Sequence, residues 1–181
     1  MRSTLVNLAS IAVLIISGAA YADDAASESP ASSGFVERAG QNALKEVALG
    51  KLAEKNARGS GVSALGSRLA RDHGRMGAVL ALICKDKGIP APAELDSEHR
   101  AVVDRLSQLS GPEFDAAYAK LMASDHTSAI ELFTQASQGE DPEFAEFARR
   151  TLPSLREHKR LADVYVKVTS DYVVAPVAQR N

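Results

Sequence analysis

The chain has 181 residues and a formal net charge of −2, with lysine, arginine, aspartate and glutamate interspersed along its length, so it lacks the basic stripe of a nucleic-acid-binding surface. Its one cysteine, Cys84, excludes an internal disulfide and leaves stability to a packed core, in which Cys84 reads as a small buried hydrophobe.

At the N-terminus, Arg2, the apolar run from Leu5 to Ile16 and the small-residue site Ala20-Tyr21-Ala22 read as a signal peptide over residues 1–22. The apolar run falls short of the roughly 20 residues that cross a bilayer, so the mature form has no transmembrane anchor, and no cysteine stands at the cleavage point to carry a lipid. Removal of Arg2 with the signal leaves a net charge of −3 and a soluble periplasmic or secreted protein of single-domain size. Residues 23–34, rich in Ala, Ser and Asp, read as a flexible lead-in, with order expected from Phe35.

From Phe35, the positions Ala39, Ala43, Leu49 and Ala53 recur at helical spacing until Gly59-Ser60-Gly61 turns the chain. A second helix carries Val62, Leu65, Leu69, Met76, Val79 and Ile83 and ends at Lys87-Gly88, where Gly88 suits a C-terminal cap and Pro90 and Pro92 prevent continuation. The connector that follows is long, holds a short helix capped by Asp96 or Ser97, and is broken at Ser110-Gly111-Pro112; it has the length to travel the bundle as a crossover. A third long helix carries Phe114, Tyr118, Leu121, Met122, Ala129 and Phe133. A fourth opens at Asp141-Pro142, presents Phe144, Ala148, Thr151, Leu155, Ala162 and Tyr165, and contains Pro153, where a kink is expected. Residues 164–174 read as the fraying end of that helix, and 171–181 as a loose tail. The predicted fold is all-α, an antiparallel four-helix bundle over residues 35–170.

No nucleotide-binding glycine loop and no nucleophile elbow is present, so no catalytic residue is assigned, and whether the chain is an enzyme stays open, with the reading leaning against it. The informative residues are polar positions on the inward stripes: Glu46, Asp72, His73, His126 and His158. At a rise of about 1.5 Å per residue, Glu46 falls roughly 16 Å from one end of the bundle and the three histidines roughly 18–25 Å, close enough to share a central layer. A glutamate and three imidazoles from four helices would form a coordination shell for zinc, iron or manganese. The competing reading is that these groups pair with one another and satisfy a buried polar core with no metal.

Every histidine follows an acid: Asp72-His73, Glu98-His99, Asp125-His126 and Glu157-His158. Successive helical residues point about 100° apart, so an acid cannot easily share an ion with its own histidine; it is placed to orient a histidine from a neighbouring helix. His99, in the connector, reads as surface charge.

The set Asp72-His73, Lys87-Gly88-Ile89-Pro90, Leu109-Ser110-Gly111, Phe114-Asp115, Tyr118, His126, Leu152-Pro153 and His158 resembles a bacterial family of exported proteins described only as domain of unknown function four-one-four-two, over about Phe35 to Tyr165. The resemblance implies a ferritin-like four-helix fold in the periplasm or cell envelope and brings no biochemical activity with it. Helix two departs from the family's polar run after the histidine by carrying Gly74 and Gly77. Ferritin-like di-iron enzymes place a glutamate three residues before the histidine, and Ala70, Ala123 and Leu155 occupy those positions here, which argues against a di-iron centre. Two functions follow: an envelope protein that binds a transition metal in its core, or a non-catalytic, stress-associated module that contacts another envelope protein and has a purely structural polar core.

Overall fold

The computed structural model describes residues 30–174, with side chains over 32–170. The predicted signal peptide, the first part of the lead-in and most of the predicted tail lie outside the described residues. The chain forms five helices: α1 (Pro30–Asn56), α2 (Ser60–Lys87), α3 (Ser97–Ser107), α4 (Gly111–Ala136) and α5 (Pro142–Val174). Helix α1 starts five residues before Phe35, inside the stretch expected to be flexible, and α5 continues without a break through Pro153 to Val174. No described helix is long and apolar enough to cross a membrane.

Local chemistry sets the boundaries. Gly88 closes α2 in the left-handed region at φ 70°, and its N–H and that of Ile89 donate to the carbonyls of Lys85 and Cys84, a Schellman motif. Asp96 caps α3 by accepting from the His99 N–H. Asp141 caps α5 by accepting from the N–H groups of Glu143 and Phe144. Gly59 precedes α2 with no side-chain cap of its own. Its N–H and that of Arg58 instead donate to the two oxygens of Asp115, which α4 brings to the turn.

The long helices pack as α1 on α2 and α4 on α5, with α1 also on α4 and α2 on α5. Across the first pair, Ala43 faces Gly77 while Ala53 faces Gly66, so α1 and α2 are antiparallel. Phe133 against Phe147 and His126 against His158 show the same for α4 and α5, and Lys87 against Asp141 with Asp72 against His158 for α2 and α5. Since α2 and α4 then run the same way, the connector between them returns along the bundle. Helix α3 lies within it, and the connector ends where Gly111 meets Ala57.

Two apolar clusters fill the interior. One, at the α1 N-terminal end, joins Phe35, Leu80, Cys84, Phe133, Phe144, Phe147 and Leu155. Edge-to-face contacts of Phe35 with Phe133 at 5.2 Å and with Phe144 at 5.9 Å hold its centre. The other joins Leu49, Leu65, Leu69, Phe114, Tyr118, Met122 and Ala162. Along every long helix the switch from one cluster to the other occurs at a polar residue: Glu46 before Leu49, His73 between Leu69 and Leu80, His126 between Met122 and Ala129, and His158 between Leu155 and Ala162. The bundle is thus a polar layer between two apolar ones.

Candidate metal centre

Helices α2, α4 and α5 each contribute one imidazole to this layer. His73, His126 and His158 are buried, at 5%, 1% and 0% exposure, and their ring centroids lie 5.3–5.5 Å apart. One nitrogen from each falls within 4.8 Å of the others. Among the described residues, no other set of three histidines, cysteines or carboxylates is so arranged.

The hydrogen bonds fix the tautomers of two rings. Nδ1 of His126 lies 2.9 Å from the Met122 carbonyl oxygen; a carbonyl only accepts, so Nδ1 carries the proton and Nε2 keeps its lone pair. That Nε2 lies 3.3 Å from Nε2 of His73. Nε2 of His158 donates at 3.0 Å to Oδ2 of Asp72, which leaves the lone pair on Nδ1, a buried atom with no hydrogen-bond partner. An imidazole whose outer N–H is held by a carbonyl or carboxylate while its inner nitrogen is free has the arrangement seen in metal-ligating histidines. Two nitrogens bound to one tetrahedral zinc at about 2.0–2.1 Å stand about 3.3 Å apart, the His73–His126 separation.

Burial holds all three rings neutral. Desolvation lowers the pKa of His73 well below the ordinary value, with His126 and His158 adding repulsion. Desolvation likewise carries His126 down to about 4. His158 is lowered by desolvation against the opposing pull of Asp72. Neutral imidazole is the form that binds a metal.

Of the five residues singled out by sequence, three converge as nitrogens and two take other places. Asp72, the chain neighbour of His73, serves His158 from across the α2–α5 interface and also lies 3.5 Å from Arg68 and 3.8 Å from Arg75. Glu46 is buried at 2% but stands outside the three-histidine group. Desolvation, with repulsion from the neighbouring Asp125 adding to it, raises the Glu46 pKa to about 8, which favours the protonated carboxyl at neutral pH. Lys45, itself buried, completes this group with Nζ 2.8 Å from Oδ2 of Asp125. Oε2 of Glu46 and the buried Tyr118 hydroxyl have no hydrogen-bond partner. His99 sits at the surface end of α3 with Nδ1 on Asp96.

Sequence reasoning missed Lys45 as a member of the polar layer and did not single out Asp125 as its partner. Lys45 adjoins Glu46 and Asp125 adjoins His126, so the acid-before-histidine pattern marked Asp125; only the unusual burial of a lysine distinguishes its partner.

Among protein families, the model described as Domain of unknown function (DUF4142) matches residues 17–164. No curated protein and no solved structure matches.

Proposed function

The chain belongs to this domain-of-unknown-function family, and we propose that it is an exported, ferritin-like bundle protein that holds one transition-metal ion on His73, His126 and His158. The return of the connector between α2 and α4 is the connectivity of ferritin-like bundles with a single crossover, and supports that assignment. The reading of residues 1–22 as a signal peptide is what supports an exported, periplasmic or secreted, mature protein.

The observation that carries the metal reading is the convergence of three imidazole nitrogens, two of them on rings whose N–H is held outward by Met122 and Asp72, above all the orphaned Nδ1 of His158. A polar core built only to satisfy itself would place a donor there, since a buried polar atom without a partner costs roughly 1–3 kcal/mol. An all-imidazole set suits zinc, and also copper or iron, better than the carboxylate-rich manganese and di-iron centres. Leu155, Ala70 and Ala123, in place of bridging glutamates, support a single ion. Three protein ligands leave a coordination position open to water or another molecule.

Elemental analysis of untagged protein purified from its native envelope, alongside the His73→Ala/His126→Ala double variant, tests this reading. Near-stoichiometric metal in the wild type, lost in the variant, is the expected result. Metal-free wild type that also takes up none on addition overturns it and returns the polar layer to a structural role beneath a protein-binding surface.

A further inference from the structure

A buried three-histidine site needs a way in, and two neighbouring spaces in the fold are separated by one thin wall. On the outside, a groove of about 570 Å³ runs between α2 and α5, with Asp72, Val79 and Thr151 among its lining residues. On the inside, a cavity of about 20 Å³ lies among α1, α2, α4 and α5, and His73 forms part of its wall. Met76 and Phe147 line both spaces. The inner cavity has room for one water-sized occupant, but Asn42 and His73 are nearly its only polar surroundings.

Met76 follows His73 by three residues on α2, so the two side chains lie on neighbouring parts of one helix face. A methionine side chain has three rotatable bonds and repacks with little cost, whereas the Phe147 ring is held in the aromatic cluster by Phe35 at 6.3 Å and Phe133 at 5.8 Å. Gly77 leaves space behind the partition, since a Cβ there would reach only ordinary contact, 3.5 Å from the Cβ of Ala43. The outer groove offers an arriving cation the carboxylates of Glu143, Glu146 and Asp72, set against Arg75 and Arg150; Asp72, 25% exposed and also holding His158, would exchange its loose contacts with Arg68 and Arg75 for the cation.

We propose that a first-row transition-metal cation reaches the three-histidine site through the α2–α5 groove, passing from Asp72 over Met76 into the cavity beside His73, with the Met76 side chain as the movable partition. This inference rests on the metal reading above and adds its route. A partition changes the barrier and leaves the end states alone, so its removal changes entry and exit rates by the same factor. The thioether is also a soft donor that can touch a passing zinc or copper ion without being one of the three nitrogen ligands.

The test measures zinc uptake and zinc release to excess chelator by stopped flow, with the equilibrium affinity measured separately, in the full-length mature wild type and in Met76→Ala, Met76→Leu and Val79→Trp. Removal of the partition in Met76→Ala should accelerate uptake and release together by about tenfold, equivalent to about 1.4 kcal/mol off the barrier, with the dissociation constant unchanged within about twofold. Met76→Leu, similar in volume, should accelerate neither rate comparably. Val79→Trp, placed on the exposed wall of the groove, should slow both, and it keeps the test decisive if Met76→Ala does not fold. Wild-type protein that binds no zinc overturns the site itself. Zinc binding at rates indifferent to Met76→Ala and Val79→Trp overturns only the route, and so does a Met76→Leu protein that loses affinity at equilibrium, since the sulfur would then be a ligand.

Discussion

Asp72 on α2 accepts a hydrogen bond at 3.0 Å from Nε2 of His158 on α5, and this contact determines which nitrogen of a fully buried imidazole faces the core. The acid lies partly in solvent and the histidine does not, so a surface charge governs the tautomer of an interior group. Neither residue adjoins the other in sequence; Asp72 adjoins His73, with which the same layer would also bind the ion.

Replacement of Asp72 by alanine therefore separates orientation from ligation. All three histidines remain, but His158 loses the acceptor that holds its proton outward. Zinc affinity of Asp72→Ala should fall by about 10- to 100-fold, the usual cost of removing an outer partner from a ligating histidine. Competition against a zinc chelator measures this, and an affinity equal to wild type would exclude Asp72 from the site. Thermal unfolding of the metal-free variant should change little, because water can take the place of a carboxylate at this exposure.

The histidines also set an acid limit on the metal-free fold. With a pKa of about 4 in the folded protein against 6.5 in the unfolded chain, His126 binds its proton more readily when unfolded. Its contribution is fully present above about pH 6.5 and is lost as pH falls towards 4, amounting to roughly 3 kcal/mol across that window. His73 and His158, lowered for the same cause, act in the same direction. Chemical denaturation of the apoprotein from pH 7 to pH 4 should show this loss, and His126→Gln should flatten the slope. A His126→Gln protein with the wild-type slope would mean that the ring is not held neutral by burial.

Glu46 imposes the opposite dependence. Its folded pKa of about 8 lies above the unfolded value of 4.5, so the folded protein holds the extra proton and the associated stability is lost as pH rises from 4.5 through 8. Glutamine keeps the shape of the protonated carboxyl and cannot ionise. Glu46→Gln should thus match wild type near pH 5 and exceed it by a few kcal/mol at pH 9, as read from denaturant midpoints at the two values. Equal midpoints at pH 9 would show that Glu46 is ionised in the fold, with Lys45 as its counter-charge.

The helices were legible because each has its own punctuation: Gly88 after α2, Asp96 before α3, Asp141-Pro142 before α5. Apolar periodicity likewise exposed the histidines, since an imidazole at the place of a leucine interrupts a stripe that is otherwise uniform. Periodicity orients a residue about its own helix axis but gives no depth along a neighbour, so Glu46 and the histidines read as one shell although only the three histidines converge. Lys45 was invisible for a related reason: its burial depends on Asp125, 80 residues away in the chain, and no local pattern distinguishes it from the exposed Lys51. The start of α1 was misplaced because residues 30–34 lack a hydrophobic repeat, yet they extend a helix already anchored by Phe35 and Val36.

Two glycines on the first helical hairpin should respond in opposite ways to the same substitution. Gly34 lies on the exposed side of α1 with no neighbour within 4 Å of an added Cβ, so Gly34→Ala should stabilise the protein by up to about 1 kcal/mol through helix propensity alone. Gly66 sits in a close approach of α1 and α2: an added Cβ would collide with the Cβ of Ala53 and lie 2.9 Å from the carbonyl oxygen of Gly50. Neither obstacle is the end of a flexible side chain, so Gly66→Ala must spread the two helices and should destabilise by about 1–3 kcal/mol despite the gain in propensity. The spread would also shift α2, and with it His73, so the zinc affinity of Gly66→Ala should fall as well, while that of Gly34→Ala stays at the wild-type value. Paired thermal unfolding and zinc titration of the two variants distinguish a site held by the α1–α2 contact from one that α2, α4 and α5 hold by themselves; in the latter case Gly66→Ala would lose stability and keep its affinity.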